Sequence, residues 1–185
     1  MINNINKLPE TQFIKLFANI FENSQFIAVA LYKKKGDGFS DFKDLINKIM
    51  DIFENTTKEK KLKILNAHPD LANKAKIASL TLDSKKEQNS AGLDQCTEDE
   101  FNEFKKLNDL YKKKYNFPFI LAVKGKNKNE ILDNFKKRIS SNPEIEFDEA
   151  IKQVKQIASL RLKELNNKFS NIQLLLDPDS SKEKW

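Results

Sequence analysis

Residues 145–169 read IEFDEAIKQVKQIASLRLKELNNKF. Ala150, Ile151, Val154, Ile157, Ala158, Leu165 and Phe169 recur at steps of three and four, which puts their side chains on one face of a long α-helix. Arg161 falls on that same side, four residues after Ile157 and four before Leu165. A guanidinium on an apolar stripe needs a negatively charged partner, because an unpaired buried charge is very costly. The partner is either a protein carboxylate or the anion of a ligand, and the planar guanidinium fork suits both.

The same periodicity continues upstream. Pro9 opens a helix carrying Phe13, Leu16, Phe17, Ile20 and Phe21. Ser24 stands at the N-cap of a short helix through Phe26, Val29 and Ala30. Residues 33–38 read as a turn, and Phe39, Phe42, Leu45, Ile46, Ile49 and Phe53 mark one face of the next helix. Thr57 begins another, with Leu62 and Leu65 leading to His68, where Pro69 ends it. Residues 80–93 show no clean period and read as loop plus short helix. Thr97 with Glu100 forms a capping box ahead of Phe101, Phe104, Leu107, Leu110 and Tyr111. Asn127 with Glu130 starts a helix through Ile131, Phe135 and Ile139. Between these two, residues 117–123 form an apolar run too short for a typical helix, read as a buried extended segment. With 4 glycines and 5 prolines, few turns are available. The expectation is all-α: a single-domain helical bundle with short connections and one buried extended segment, spanning 1–170, with 171–185 as a C-terminal tail.

Composition narrows the function. The 185 residues are 39% hydrophobic and 32% charged, the profile of a folded globular domain. No apolar run approaches the roughly 20 residues that span a bilayer, and the polar N-terminus lacks a signal core, so a cytoplasmic protein is expected. Cys96 is the only cysteine, which excludes an internal disulfide and suggests an unreactive thiol. One His and one Cys cannot assemble a Cys/His zinc site, and no metal site is expected. The net charge of +6 and pI near 9.2 raise the question of nucleic acid. Arginine is confined to Arg138 and Arg161, however, and the lysines are scattered among 27 acids, which argues against that partner. A non-catalytic basic helical binding module, using Lys33 to Lys35, remains the alternative.

Two further segments carry candidate chemistry. His68, the only histidine, lies in Ala67-His68-Pro69-Asp70-Leu71. At a helix end its imidazole either points into a cleft as acid or base, or is a structural ring held by a carbonyl. Ser84, Glu87 and Gln88 sit at i, i+3 and i+4, so one helical turn would present hydroxyl, carboxylate and amide together to a nitrogen-rich ligand. The competing reading is a capping box, with Ser84 at the N-cap and Glu87 three residues on.

Taken in order, His68-Pro69-Asp70-Leu71-Ala72, Ser84-Lys85-Lys86-Glu87-Gln88 with Ser90-Ala91-Gly92-Leu93, Phe117-Pro118-Phe119-Ile120-Leu121-Ala122-Val123 and Ile157-Ala158-Ser159-Leu160-Arg161-Leu162 resemble the OHCU (2-oxo-4-hydroxy-4-carboxy-5-ureidoimidazoline) decarboxylase family from about Leu8 to Phe169. The resemblance implies decarboxylation of a small anionic ureidoimidazoline to (S)-allantoin, the last step of urate degradation, by a homodimer with no metal or organic cofactor. A family member acting on another ureido compound is the second alternative. Carried onto this chain, the resemblance implies His68, Glu87 and Arg161 as the catalytic trio, with Glu87 the acidic partner of His68 and Arg161 anchoring substrate; proximity to Glu87 would then favour a protonated His68. Pro69, Ser84, Lys85, Lys86, Glu87, Gln88, Phe119, Ile120, Leu121, Ala122 and Val123 are the implied substrate contacts. Phe26, where the family often carries tryptophan, the loop 33–38, and Lys124, where arginine is common, depart from the pattern.

Overall fold

The computed structural model describes residues 2–73 and 80–176, with side chains through Phe169. All regular structure in them is helical. In chain order these are α1 (Ile2–Asn6), α2 (Glu10–Phe17), α3 (Gln25–Lys33), α4 (Phe42–Glu54), α5 (Lys58–Ala67), α6 (Leu82–Ser90), α7 (Glu98–Tyr115), α8 (Lys128–Arg138) and α9 (Pro143–Leu176). A single 3₁₀ turn, Leu93–Gln95, links α6 to α7. Among the described residues no helix is long and apolar enough to cross a membrane.

Side-chain caps explain most helix starts. Asp41, Thr57, Thr81, Thr97 and Asn127 each accept from the backbone N–H three residues on, and the last two complete the capping boxes read from the sequence. Each such cap contributes about 1 kcal/mol. Ser24 is different. It stands at the N-cap of α3, but its hydroxyl donates to the Glu22 carbonyl at 2.8 Å instead. The sequence reading missed α1, a five-residue helix that buries Ile5. Asn6 fastens it by exchanging two hydrogen bonds with the Phe39 backbone, both 2.9 Å. A Cβ on Gly38, whose φ is +134°, would meet the Asn6 side chain at 2.7 Å, so this corner requires glycine.

The core is built on phenylalanine. Phe13, Phe17, Phe21 and Phe53 fill the α2–α3–α4 end, and Phe104, Tyr111, Phe119 and Phe135 the other. Phe119, from the extended run, stacks on Phe135 of α8 at 3.9 Å between ring centres. The 34-residue α9 spans about 51 Å and packs against α4, α5 and α7. It runs on through Leu176, so position 170, expected to end the domain, falls inside it. The rest of the expected tail, 177–185, lies outside the described residues.

α9's buried stripe is not purely apolar. Glu146, Ala150, Val154, Ile157, Ala158, Arg161 and Leu162 are all buried, while Ile145 is exposed. A charged residue sits near each end of the stripe, and each belongs to a separate buried network.

Candidate active site

Four segments enclose a cleft holding ~330 Å³ of empty space, part of it open to solvent. The end of α5 contributes His68, Pro69 and Leu71; α6 contributes Ser84, Glu87 and Gln88; the extended run contributes Phe119, Ile120, Leu121 and Val123; α9 contributes Ile157.

His68 is the C-cap of α5, and its ψ of 140° is the extended geometry that Pro69 imposes. Its ring Nδ1 lies 2.8 Å from the Ile64 carbonyl. A carbonyl only accepts, so this bond assigns the proton to Nδ1 and leaves a lone pair on Nε2. Nε2 is buried and, among the described residues, has no hydrogen-bond partner. One nitrogen of the ring is held by a carbonyl, and the ring also lines the cleft. Burial pushes the imidazole pKa down to about 4, against smaller upward pulls from the Ile64 carbonyl and the Glu22 charge and a downward push from Arg161. The expected protonation of His68 by proximity to Glu87 is therefore replaced by a neutral ring. The physical reason is that the Glu87 carboxylate is engaged elsewhere and desolvation dominates.

Glu87 is engaged by Arg161. Nε of Arg161 donates to Oε1 and Nη2 to Oε2, both at 2.8 Å, a bidentate fork. Nη1 donates to the Asn19 carbonyl at 2.8 Å and pairs ionically with Glu22 Oε2 at 2.8 Å, and Nη2 reaches Ser84 Oγ at 3.3 Å. Nε, Nη1 and Nη2 thus all have protein partners. Of the two partners open to Arg161 from sequence, the structure supplies protein carboxylates. Arg161 does not line this cleft but lines an adjoining hollow that shares Glu87 with it. Each Glu87 oxygen retains lone-pair capacity, and the side chain keeps 26% of its surface, so the carboxylate still presents acceptors to a ligand.

Helix α6 starts at Thr81, three residues before the N-cap position considered for Ser84. That shift turns the Ser84–Gln88 face inward. Ser84 Oγ donates to Glu22 Oε2 at 2.8 Å. Gln88 braces the 70–72 turn, accepting from the Ala72 N–H at 3.0 Å and donating to the Asp70 carbonyl at 3.4 Å. Asn108 donates to the Leu71 carbonyl at 3.0 Å, and Lys112 pairs with Asp70 at 2.7 Å. These bonds hold Ala72 at φ +52°, a conformation that costs a non-glycine residue about 1–2 kcal/mol.

The extended run is pinned from outside. Arg138 Nη1 donates to the Ile120 carbonyl at 2.8 Å, and Gln153 Oε1 accepts from the Ala122 N–H at 2.9 Å. Ala122 consequently contributes nothing to the cleft wall. Lys85 and Lys86 are exposed on the outer face of α6, and Lys86 pairs with Glu164, which also binds Lys124. Those two lysines hold the Glu164 carboxyl down to about 2. Of the residues expected at the site, the structure gathers His68, Pro69, Ser84, Glu87, Gln88, Phe119, Ile120, Leu121 and Val123 on the cleft. Arg161 and Lys86 line an adjoining hollow that shares Glu87 with the cleft, and Lys85 and Ala122 line neither.

Sequence reasoning missed Glu22. It is 1% exposed, on the turn between α2 and α3, accepting from Thr81 Oγ1 at 2.7 Å as well as from Ser84 and Arg161. One signal was available: Glu22 directly follows Ile20-Phe21 on a buried stripe, where an acid demands a partner.

Comparison with known proteins adds the family. A "Uric acid degradation bifunctional protein" from Bacillus sp. (strain TB-90) is 36% identical over 167 residues, covering 90% of this chain and 32% of that protein. The chain thus spans about a third of that relative's length. A "2-oxo-4-hydroxy-4-carboxy-5-ureidoimidazoline decarboxylase" from Haloferax volcanii is 32% identical over 160 residues, covering 86% of this chain and 92% of that protein. The crystal structure of an (S)-allantoin synthase superposes with a TM-score of 0.70 at 28% identity, over 89% of this chain and 54% of that one. An OHCU decarboxylase crystallised in the presence of (S)-allantoin superposes with a TM-score of 0.65 at 25% identity, over 80% of this chain and 95% of that one. With the OHCU decarboxylase family matched over residues 6–163, this chain belongs to that family.

Proposed function

We propose that this chain decarboxylates 2-oxo-4-hydroxy-4-carboxy-5-ureidoimidazoline to (S)-allantoin, and that His68 carries the proton in that reaction. The observation that carries the reading is the buried, partnerless Nε2 of a neutral imidazole at a cleft. A lone pair kept from water and from protein donors is poised to accept a proton from a ligand hydroxyl.

The chemistry follows from the substrate. When the carboxylate leaves as CO₂, its bonding electrons flow into the adjacent ring C=N, whose nitrogen takes a proton from solvent. The product of that step is an enol. His68 Nε2 accepts the enol hydroxyl proton as the ketone forms, and returns it to the ureido-bearing carbon. Burial disfavours the imidazolium, so Nε2 holds the proton only transiently between the hydroxyl and the carbon. Delivery from one wall of the cleft sets the handedness of the product. Glu87, held in a fixed orientation by the Arg161 fork, accepts from the ureido N–H groups. Phe119, Ile120, Leu121 and Val123 provide an apolar wall that limits water. Among the described residues, nothing accepts from the main-chain N–H groups of Leu121 and Val123, which leaves them available to substrate oxygens.

The similarity to the family also supports a cytoplasmic homodimer, which light scattering would test directly. Activity is tested by generating the substrate in situ from urate and following allantoin by circular dichroism. The expected result is faster loss of substrate and a single enantiomer. Racemic allantoin formed at the spontaneous rate would contradict the reading.

A further inference from the structure

We infer that Glu22 is a positioning residue of the site, fixing the edge of Arg161 that faces away from Glu87 and thereby aiming the Glu87 carboxylate at the cleft. The inference rests on the functional reading above and deepens it.

Glu22 does not line the cleft and cannot touch substrate there. Its contacts reach the site through Arg161, Ser84 and Thr81, and its charge also acts on His68. The geometry assigns each of its oxygens. Oε1 accepts from Thr81, the cap of α6, at 2.7 Å; Oε2 accepts from Ser84 and forms an ion pair with Arg161 Nη1, both at 2.8 Å. One carboxylate therefore joins the α2–α3 turn, the first turn of α6, and α9.

The guanidinium has two usable edges. The Nε–Nη2 edge forms the fork with Glu87, and Nη1, on the far side, is held by Glu22 and the Asn19 carbonyl. Without Glu22, Nη1 keeps only a neutral carbonyl, and the group is free to tilt. A tilt of the fork moves Glu87, and displacements of about 1 Å at a reacting group cost up to about 10²-fold in rate.

Charge points the same way. Glu22 and Glu87 place two negative charges around one guanidinium, so Arg161 remains balanced when Glu87 turns part of its acceptor capacity towards substrate. Glu22 also favours the transient imidazolium on His68, which Arg161 opposes. The buried pairing of Glu22 at 1% exposure, with its partners drawn from the start of α6 and from α9, is more than packing requires. A hydrophobic side chain would fill the same volume without the desolvation cost.

The test compares wild type, Glu22→Gln, Arg161→Lys and the double variant, using substrate made in situ and folding checked by far-ultraviolet circular dichroism. Glu22→Gln is expected to lower kcat by about 10- to 50-fold with KM within about 2-fold, because a residue off the cleft alters alignment and not ground-state binding. The double variant should fall no more than about 3-fold below Arg161→Lys alone, since both act through the same fork. A Glu22→Gln enzyme with wild-type kcat, or one whose full loss multiplies onto Arg161→Lys, would overturn the inference. If Glu22→Gln does not fold, Thr81→Val against Thr81→Ser carries the test: the valine variant should lose kcat at unchanged KM and the serine variant should not. Equal kcat in the two overturns the inference. Should wild type itself leave the substrate to decay spontaneously, the functional reading falls and this inference with it; an active wild type with an equally active Glu22→Gln removes only the role of Glu22.

Discussion

The two arginines of this lysine-rich chain are both buried, and they do different work. Arg138 donates to Glu146 through Nε at 2.9 Å and Nη2 at 2.5 Å, while Tyr111 hydrogen-bonds the same carboxylate oxygen. That network is closed. Tyr111 is held well above its ordinary pKa by burial and by the Glu146 charge, so it stays a phenol that only donates. Nη1 of Arg138 reaches one cleft element, the Ile120 carbonyl, and its guanidinium lies 4.6 Å over the Phe119 ring. Arg161 shares its fork with Glu87, whose side chain keeps 26% of its surface. The lesson is that burying a guanidinium does not by itself make a site. The Arg138 network fixes the wall; the Arg161 network ends in a carboxylate that lines the cleft.

The comparison breaks first on activity. His68→Asn keeps a polar side chain but cannot carry a proton at neutral pH, and is expected to lower kcat by about 10²-fold or more, as is Glu87→Gln. Turnover of substrate made in situ measures both, and near-normal rates in both variants would leave the Arg161 side with no catalytic role. Arg138→Met sharpens the contrast from the other side. It leaves Glu146, 1% exposed, buried without its cation, and should cost about 3–5 kcal/mol in urea unfolding.

How much of this was legible beforehand follows the same division. Arg161 stood out because it interrupts a helical stripe, and the need for an anion followed from burial alone. Its stripe-mate Glu146 did not stand out, because Ile145 beside it offered an apolar residue for the same turn, yet Ile145 is exposed. The caps of α7 and α8 were readable as four-residue patterns. Helix α6 was not, because its inward residues are Ser84 and Gln88, polar side chains satisfied by Glu22 and by the 70–72 backbone, which leave no apolar period. His68, Glu87 and the extended run were marked by local sequence. Glu22, 59 positions before its partner Thr81, was set by tertiary contact.

Smaller effects refine the picture. For His68, the folded pKa near 4 lies below the ordinary 6.5, so the unfolded chain binds more protons between those values. Its contribution is fully present above pH 6.5 and is lost as pH falls towards 4, amounting to about 3 kcal/mol. Urea unfolding of wild type and His68→Asn across that range should diverge by this amount at pH 7 relative to pH 4; parallel curves would mean the ring is not desolvated. Tyr111→Phe removes one donor from Glu146 and should cost about 1–3 kcal/mol with kcat within a factor of about 3. Glu164→Gln, which releases Lys86 and Lys124 at the surface, should change stability by no more than about 1 kcal/mol.

Because His68 is the only histidine, its imidazole can be watched alone. Nitrogen-15 NMR of the ring from pH 8 to pH 4 tests the central claim most directly. The account expects a neutral ring protonated at Nδ1, with Nε2 bare, down to about pH 5. An imidazole that titrates near 6.5, or carries its neutral-state proton on Nε2, would contradict it.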